Sequence, residues 1–206
     1  MKVLLINGSP KTEGNTAFAL KQMVEVFQGE GIETEIIQVG NQLIRGCTGC
    51  GGCYKLGKCV FDDIVNETAE KLRQADGLVL GSPVYYASPN GTLLSFLDRL
   101  FYSSGSVDKR MIVGSSVVVA RRGGCTASMD VLNKYFTISQ MPVASSTYWN
   151  IIHGAKPGEA AQDAEGIRTV RNLAKNMVFL MLSVAMGKDS IGLPESEKKV
   201  FTNFIR

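Results

Sequence analysis

VLLINGSPKTEGNT, residues 3 to 16, joins a short apolar run to a turn of small and polar residues and then to the start of a helix. Val3–Ile6 is the kind of continuous apolar run expected of a strand covered by helices on both faces. A helix amino terminus leaves backbone N–H groups unpaired and carries partial positive charge, so it can bind an anion. The turn adds short donors and a cation, namely Ser9, Asn15, Thr16 and Lys11. The stretch therefore predicts a phosphate site, with a capped helix after an ordinary turn as the alternative.

Outward from this stretch, apolar runs alternate with helical patterns. Further strands are predicted at Thr34–Val39, Leu78–Leu80 and Met111–Val119, and helices at Leu20–Phe27, Asp62–Gln74, Leu93–Phe101 and Ile167–Met186. Such alternation predicts right-handed crossovers and a three-layer α/β sandwich, in which helices cover both faces of a parallel sheet. We expect one domain over residues 1–206, a five-stranded sheet of order 2-1-3-4-5, and a loose connection from Trp149 to Gly158.

Composition excludes several classes of function. The net charge of +3 is small and the basic residues are scattered, so no nucleic-acid partner is expected. No apolar run reaches the roughly 18 residues that would cross a bilayer, and the apolar start is too short for a secretion signal. With five cysteines and no export signal, we expect a cytoplasmic protein with reduced thiols.

Missing motifs narrow the choice of phosphate compound. Gly14 is followed by Asn15 rather than by the Lys of a nucleotide-triphosphate loop, and Gly8 is followed by Ser9 and Pro10 rather than by the dinucleotide glycines. The second predicted strand also ends without the acid that would hold an adenosine ribose. A single terminal phosphate, as in FMN, fits better.

Two more loops are expected beside the first at the switch point of the sheet, where such folds bind flavin. After the third strand, prolines stiffen a loop that carries aromatic surface: Pro83, Val84, Tyr85 and Tyr86. After the fourth strand, a cationic loop can approach a ligand closely: Arg121, Arg122, Gly123 and Gly124. The alternatives are tyrosines that pack at the rim and a plain surface turn with solvated arginines.

The motifs NGSPKTEGNT, SPVYYASPNGTLLSFLDR and ARRGG together resemble those of the NADPH-dependent FMN reductase family of the flavodoxin superfamily. The resemblance covers residues 1 to about 150 and implies a flavodoxin-like fold. It implies phosphate contacts from the first loop, at Ser9, Lys11, Asn15 and Thr16, and ring contacts from the other two, at Pro83–Tyr86 and Arg121–Gly124. Within the family, the compact run CTGCGGCYKLGKC, residues 47 to 59, resembles that of the iron-sulfur flavoproteins, in which a [4Fe-4S] cluster passes electrons to FMN.

That cysteine run is CTGCGGCYKLGKC, residues 47 to 59, with Cys47, Cys50, Cys53 and Cys59 spaced x2, x2 and x5. Repeated x2 steps are typical of ferredoxin-type cluster ligands, although the bacterial run ends differently. Structural zinc sites generally pair two knuckles across a longer spacer. Free or disulfide-forming thiols beside the flavin are the third possibility. Cluster, zinc and free thiols all stay open at this point.

The leading hypothesis is an FMN-dependent oxidoreductase that takes electrons from NAD(P)H and passes them to an unidentified acceptor: a quinone, a nitro or azo compound, free flavin or an iron-sulfur partner. No side chain is nominated as catalytic acid or base, because the cofactor carries the chemistry. His153, the one histidine, is expected to be structural because no acid is evidently paired with it. The alternative is an electron carrier reduced by ferredoxin. Family resemblance also implies a homodimer or a higher homo-oligomer.

Overall fold

The fold is described from a computed structural model covering residues 1–198 and 200–204. Six strands occur in chain order: β1 (Lys2–Asn7), β2 (Glu33–Gln38), β3 (Gly77–Tyr85), β4 (Ser88–Pro89), β5 (Val113–Ala120) and β6 (Ile151–His153). The α-helices are α1 (Asn15–Gly29), α2 (Cys53–Leu56), α3 (Ile64–Leu72), α4 (Gly91–Ser103), α5 (Cys125–Thr137) and α6 (Ala164–Ile191), and a 3-10 helix spans Glu159–Gln162.

The main sheet is parallel and has the order β2-β1-β3-β5-β6. The short β4 only forms an antiparallel hairpin with the end of β3. With β4 left out of the numbering, this is the predicted order 2-1-3-4-5, so the fold class is confirmed. The reversal of strand order between β1 and β3 places the loops after these two strands side by side.

Two apolar clusters sandwich the sheet because alternate side chains of each strand point to opposite faces. Val3 and Leu5 of β1 belong to the cluster that includes α1 and α6, whereas Leu4 and Ile6 belong to the cluster that includes α3, α4 and α5. All four of these side chains are fully buried. The continuous apolar run at the start of the chain thus anchors both layers of helices.

The segment from Trp149 to Gly158, predicted as a loose connection, contains the edge strand β6 instead. Ile152 is fully buried there, and Val118, Val119 and Ala120 of β5 pair with the three residues of β6. A strand of three residues is too short to show an alternating pattern, so its partner strand is what defines it. The helix α5 was likewise not predicted.

Helix α6 is long, and its outer surface carries exposed apolar side chains: Phe179, Leu182 and Met186. Within the described residues, no helix combines the length and the apolar character needed to cross a membrane.

Candidate functional site

A cleft of about 300 Å³ opens at the carboxyl edge of the sheet. The loops after β1, β5 and β6 line it together with the ends of β3 and β5, as expected where parallel strands end at a switch point. Pro83, Val84 and Tyr85, predicted to lie in the loop after the third strand, are instead the last residues of β3. Eight of the twelve residues predicted for cofactor binding lie in its lining: Ser9, Lys11, Asn15, Thr16, Pro83, Val84, Tyr85 and Arg121. The other four, Tyr86, Arg122, Gly123 and Gly124, lie in the loops after β3 and β5, outside that lining. The loop after β6 adds Gly154, Ala155 and Pro157, which were not predicted.

The amino terminus of α1 at this cleft has no side-chain cap. Its N-cap residue is Gly14, and the first turn contains no acidic residue. Two hydrogen bonds between residues two positions apart hold the preceding turn. Ser9 N donates to Asn7 Oδ1 (3.0 Å), and Lys11 N donates to Ser9 Oγ (3.1 Å). The first-turn N–H groups therefore face the cleft without a capping side chain, which is the arrangement that suits an anion.

Asn15 has a structural task that the sequence does not reveal. Its Nδ2 donates to the Lys156 carbonyl (2.9 Å), and its Oδ1 accepts from Ala160 N (3.3 Å). The side-chain amide thus ties the start of α1 to the segment after β6. Because these partners lie more than 140 residues away, no local pattern indicates the contact.

The loop after β3 is a tight hairpin. Tyr85 pairs with Ser88, so Tyr86 and Ala87 form a two-residue connection, and both have left-handed backbone conformations with φ of 51° and 57°. A type I′ hairpin requires positive φ at both central positions and usually places Asn or Gly there. Tyr86 is fully exposed in this conformation, so only Pro83, Val84 and Tyr85 of the predicted ring wall line the cleft.

Gly124 supports the cleft by packing rather than by lining it. Its φ is 88°, and a Cβ atom there would lie 2.7 Å from Ala87 Cα and 3.0 Å from Val84 Cγ1. The loop after β5 can therefore lie against the loop after β3 only because residue 124 has no side chain. Gly123 differs, because its φ is not positive and a Cβ atom would meet nothing within 4 Å.

This contrast makes a prediction for the unliganded protein. Gly124→Val should lower the free energy of unfolding by about 2 kcal/mol, from left-handed strain and from the clash with Ala87. Gly123→Val is the matched control and should change it by less than about 0.5 kcal/mol. Urea unfolding followed by circular dichroism measures both. Equal losses in the two variants would contradict the packing role of Gly124.

The four clustered cysteines line a second, separate depression. All five cysteines of the chain are free thiols; Cys47 and Cys50 are exposed, and Cys53 and Cys59 are partly buried. The four of the run share the depression with Phe61, Arg99 and Tyr102. Among the residues that the structure describes, no three His, Cys, Asp or Glu side chains are arranged to hold a single metal ion. The donor set itself, four thiols around one depression, has the chemistry of a thiolate-ligated site.

The backbone of the run is shaped by glycines in left-handed conformations, which other residues rarely adopt. Gly49, Gly51 and Gly57 all adopt positive φ, and residues 41–52 contain no helix or strand. The N–H of Gly52 and the hydroxyl of Thr48 bond to Cys50 and lower the pKa of its thiol. Cys125 lies apart in α5, where burial raises the pKa of its thiol.

Arg99 is the residue of this second site that sequence reasoning missed. Its side chain is 1% exposed. Its guanidinium donates to both oxygens of Asp63 (2.7 and 3.0 Å), to Cys59 Sγ from two nitrogens (3.3 Å each) and to the Phe61 carbonyl (3.2 Å). The one available signal is a cation on the apolar stripe of α4, three residues after Phe96.

Arg99 keeps its charge despite burial. Burial alone would lower the pKa of the guanidinium, but the hydrogen bonds to Asp63 and Cys59 outweigh it, and the pKa is raised. The buried cation is thus paired and hydrogen-bonded, as a charge inside a protein must be.

His153 does have an acidic partner, contrary to the sequence expectation. Its Nδ1 lies 3.5 Å from Asp163 Oδ2, and the same carboxylate accepts from the His153 main-chain N–H (2.7 Å). Asp163 also accepts from Gly166 N (2.9 Å) as the N-cap of α6. The pair therefore fastens β6 to the start of α6, in keeping with the structural role that was expected.

The parallel sheet of order 2-1-3-4-5, with a cleft at its switch point, defines a flavodoxin-like α/β protein. Residues 1–156 match the NADPH-dependent FMN reductase family, and the chain belongs to this family. The predicted family is therefore confirmed, and with it the general class of flavin-dependent oxidoreductases.

Curated relatives point to one subgroup. The chain is 35% identical over 184 residues to an iron-sulfur flavoprotein of Methanocaldococcus jannaschii, covering 86% of this chain and 95% of that protein. It is 31% identical over 205 residues to an iron-sulfur flavoprotein of Archaeoglobus fulgidus, covering 97% and 98%. Among solved structures, RosB with bound 8-demethyl-8-formylriboflavin-5'-phosphate has a similar fold, with a TM-score of 0.70 and 17% identity over 100% of this chain and 94% of RosB.

Proposed function

We propose that the chain binds FMN in the cleft, takes electrons from NAD(P)H and delivers them to an electron acceptor. The observation that carries the proposal is the uncapped start of α1 opening into a cleft that also contains Pro83–Tyr85 and Arg121. An anion site and a planar wall, side by side, match a molecule with one phosphate and one flat ring system. The phosphorylated flavin in the structurally similar RosB supports this choice.

Three parts of the lining have proposed contacts with FMN: the start of α1 with its preceding turn, the end of β3, and Arg121. The main-chain N–H groups at the start of α1, with the hydroxyls of Ser9 and Thr16, would hold the phosphate, and the exposed Lys11 would add charge. Pro83–Tyr85 would lie along the ring, and Arg121 would place positive charge beside it. Tyr86, Arg122, Gly123 and Gly124 would shape these two loops rather than touch the cofactor through the cleft.

Bound FMN would supply the redox chemistry between a pyridine nucleotide as donor and an acceptor, which would be a quinone, a nitro or azo compound, free flavin or an iron-sulfur partner. The residues of the cleft bind and orient the ring and supply charge beside it. No side-chain acid or base is required.

We further propose that Cys47, Cys50, Cys53 and Cys59 hold a [4Fe-4S] cluster. Four thiols around one depression, on a glycine-rich segment, support this, as does the similarity to iron-sulfur flavoproteins. Zinc or free thiols are the competing outcomes, which iron and acid-labile sulfide analysis distinguishes.

The test is an anaerobic spectrum of the purified protein. We expect a yellow protein with about one FMN per chain, whose flavin absorbance bleaches when NADPH or NADH is added. Lys11→Glu should weaken FMN binding, whereas Lys175→Glu, at an exposed cation of α6 outside the cleft lining, should not. A protein that binds no flavin would contradict the proposal.

A second candidate function is electron transfer between proteins. The cysteine run favours it, because a cluster shuttles single electrons. In this case reduced ferredoxin would reduce the protein rapidly and NAD(P)H would not, whereas the opposite result would support the oxidoreductase. Stopped-flow spectroscopy with each reductant decides between them.

We also propose a homodimer or a higher homo-oligomer in the cytoplasm. The exposed apolar residues Phe179, Leu182 and Met186 on α6 support association, since a second copy could cover them. Sedimentation equilibrium tests this, and a monomer at micromolar concentration would contradict it.

A further inference from the structure

A buried cation stands directly behind the fourth cysteine of the run. Arg99 projects from α4, is 1% exposed, and bonds to Cys59 through two nitrogens of one edge, Nε and Nη2, each 3.3 Å from Sγ. The adjacent edge, Nη1 and Nη2, pairs with the two oxygens of Asp63. Because the planar guanidinium of Arg99 forms hydrogen bonds along two edges, it has little freedom to rotate. Its N–H groups therefore keep a fixed direction toward the sulfur of Cys59.

The main chain of Cys59 is fixed as well. Its N–H donates to Asn66 Oδ1 (2.9 Å), and its carbonyl accepts from Asn66 Nδ2 (3.1 Å). Asn66 belongs to α3 and is buried. Backbone and sulfur of Cys59 are thus held by two different helices, whereas Cys47 and Cys50 lie exposed in a segment without helix or strand. Cys59 is therefore held by more contacts than Cys47 and Cys50.

We propose that Arg99 is a positioning residue that holds Cys59 as the fixed ligand of the cysteine site, and that its N–H groups raise the reduction potential of the cluster. This inference rests on the proposed [4Fe-4S] cluster. Hydrogen bonds to ligand sulfur and nearby positive charge favour the reduced, more negative cluster. Both come from Arg99.

Arg45 provides a matched control. Its guanidinium lies 5.0 Å from the centre of the Phe61 ring, and that of Arg99 lies 5.1 Å from the same ring. Arg45 is exposed, so solvent screens its charge. Arg45→Met removes the same formal charge from the same neighbourhood and leaves the two bonds to Cys59 in place.

The experiment is an anaerobic redox titration of the full chain, with FMN followed by absorbance and the cluster by electron paramagnetic resonance. At a fixed applied potential, Arg99→Met should shift the oxidised-to-reduced ratio of the cluster about tenfold toward oxidised, a fall of about 59 mV for one electron. Arg99→Lys keeps the charge but loses the planar pair of N–H donors, so the cluster potential should fall by less than in Arg99→Met. The FMN potential should stay unchanged in both.

The outcomes separate the two levels of the proposal. Wild-type protein that holds FMN but no iron would overturn the cluster, and the role of Arg99 with it. Wild-type protein that holds a cluster whose potential is the same in Arg99→Met and Arg45→Met would overturn only the role of Arg99. Loss of iron in Arg99→Met with FMN retained, while Arg45→Met keeps its iron, supports the positioning role. Should Arg99→Met not fold, an unshifted cluster potential in Arg99→Lys would count against the proposal and a lowered one for it.

Discussion

Gly14→Asp should abolish FMN binding at micromolar concentrations while slightly stabilising the protein without ligand. Gly14 is the N-cap of α1, has extended backbone angles (φ −86°, ψ −176°) and supplies no side chain to the free N–H groups. An Asp there would accept from those groups and favour the helix by about 0.5–1 kcal/mol. The same carboxylate would repel the FMN phosphate and compete for its donors, which we expect to weaken binding about 100-fold or more.

Gly14→Asn separates the effect of charge from the effect of capping, because Asn has nearly the same shape as Asp. It fills the same space, in which a Cβ atom would lie 3.0 Å from the Cβ of the exposed Lys11, and it brings no charge. We therefore expect an affinity between those of the wild type and Gly14→Asp, measured by quenching of FMN fluorescence. Thermal unfolding without FMN checks that the fold is intact. An Asp variant that binds FMN within about threefold of the wild type would place the phosphate elsewhere.

Asp63→Ala should lower the free energy of unfolding by about 3 kcal/mol, because it leaves Arg99 as a buried charge without its carboxylate. Asp63 has two tasks: it pairs with Arg99 through both oxygens, and its Oδ1 accepts from Val65 N (3.1 Å) as the N-cap of α3. The side chain of Asp63 is 33% exposed, so water can reach part of the uncovered guanidinium and moderate the loss.

Asp63→Asn distinguishes the two tasks, since Asn caps a helix about as well as Asp but carries no charge. We expect it to lose about half as much stability as the Ala variant, through the weakened bond to a charged donor. Urea unfolding of metal-free, reduced protein without FMN measures both variants on the same footing. A loss below about 1 kcal/mol in Asp63→Ala would show that Arg99 does not depend on this carboxylate.

The parts of the site that lie close together in sequence could be predicted from it. The run Val3–Ile6, the small turn and the apolar stripe Leu20–Phe27 are local signals, and the structure forms β1, the turn and α1 where they indicate. The loops after β3 and β5 could be placed at the same edge because parallel strands with helical crossovers leave little choice of topology. Eight lining residues of the cleft followed from this reasoning.

The parts that were missed depend on partners far away in the chain. Arg99 and Asp63 are 36 residues apart, and the side chain of Asn15 bonds across 141 residues to Lys156. From local sequence alone, Arg99 is interpreted as a surface cation, Asp63 as a polar residue at a helix start, and Asn15 as a phosphate donor. The role of Arg99 becomes visible only when α4 packs on the cysteine segment. The role of Asn15 becomes visible only when the segment after β6 packs on α1. The short β6 was missed for the same reason.

The central claim is that the start of α1 holds the phosphate of a flavin, and the most direct test compares two ligands that differ only in that phosphate. Flavin-free protein is titrated with FMN and with riboflavin under identical conditions. The phosphate should contribute several charge-assisted hydrogen bonds, so FMN should bind about 100-fold more tightly or better, and Gly14→Asp should remove most of that difference. Equal affinity of the wild type for the two flavins would contradict the claim.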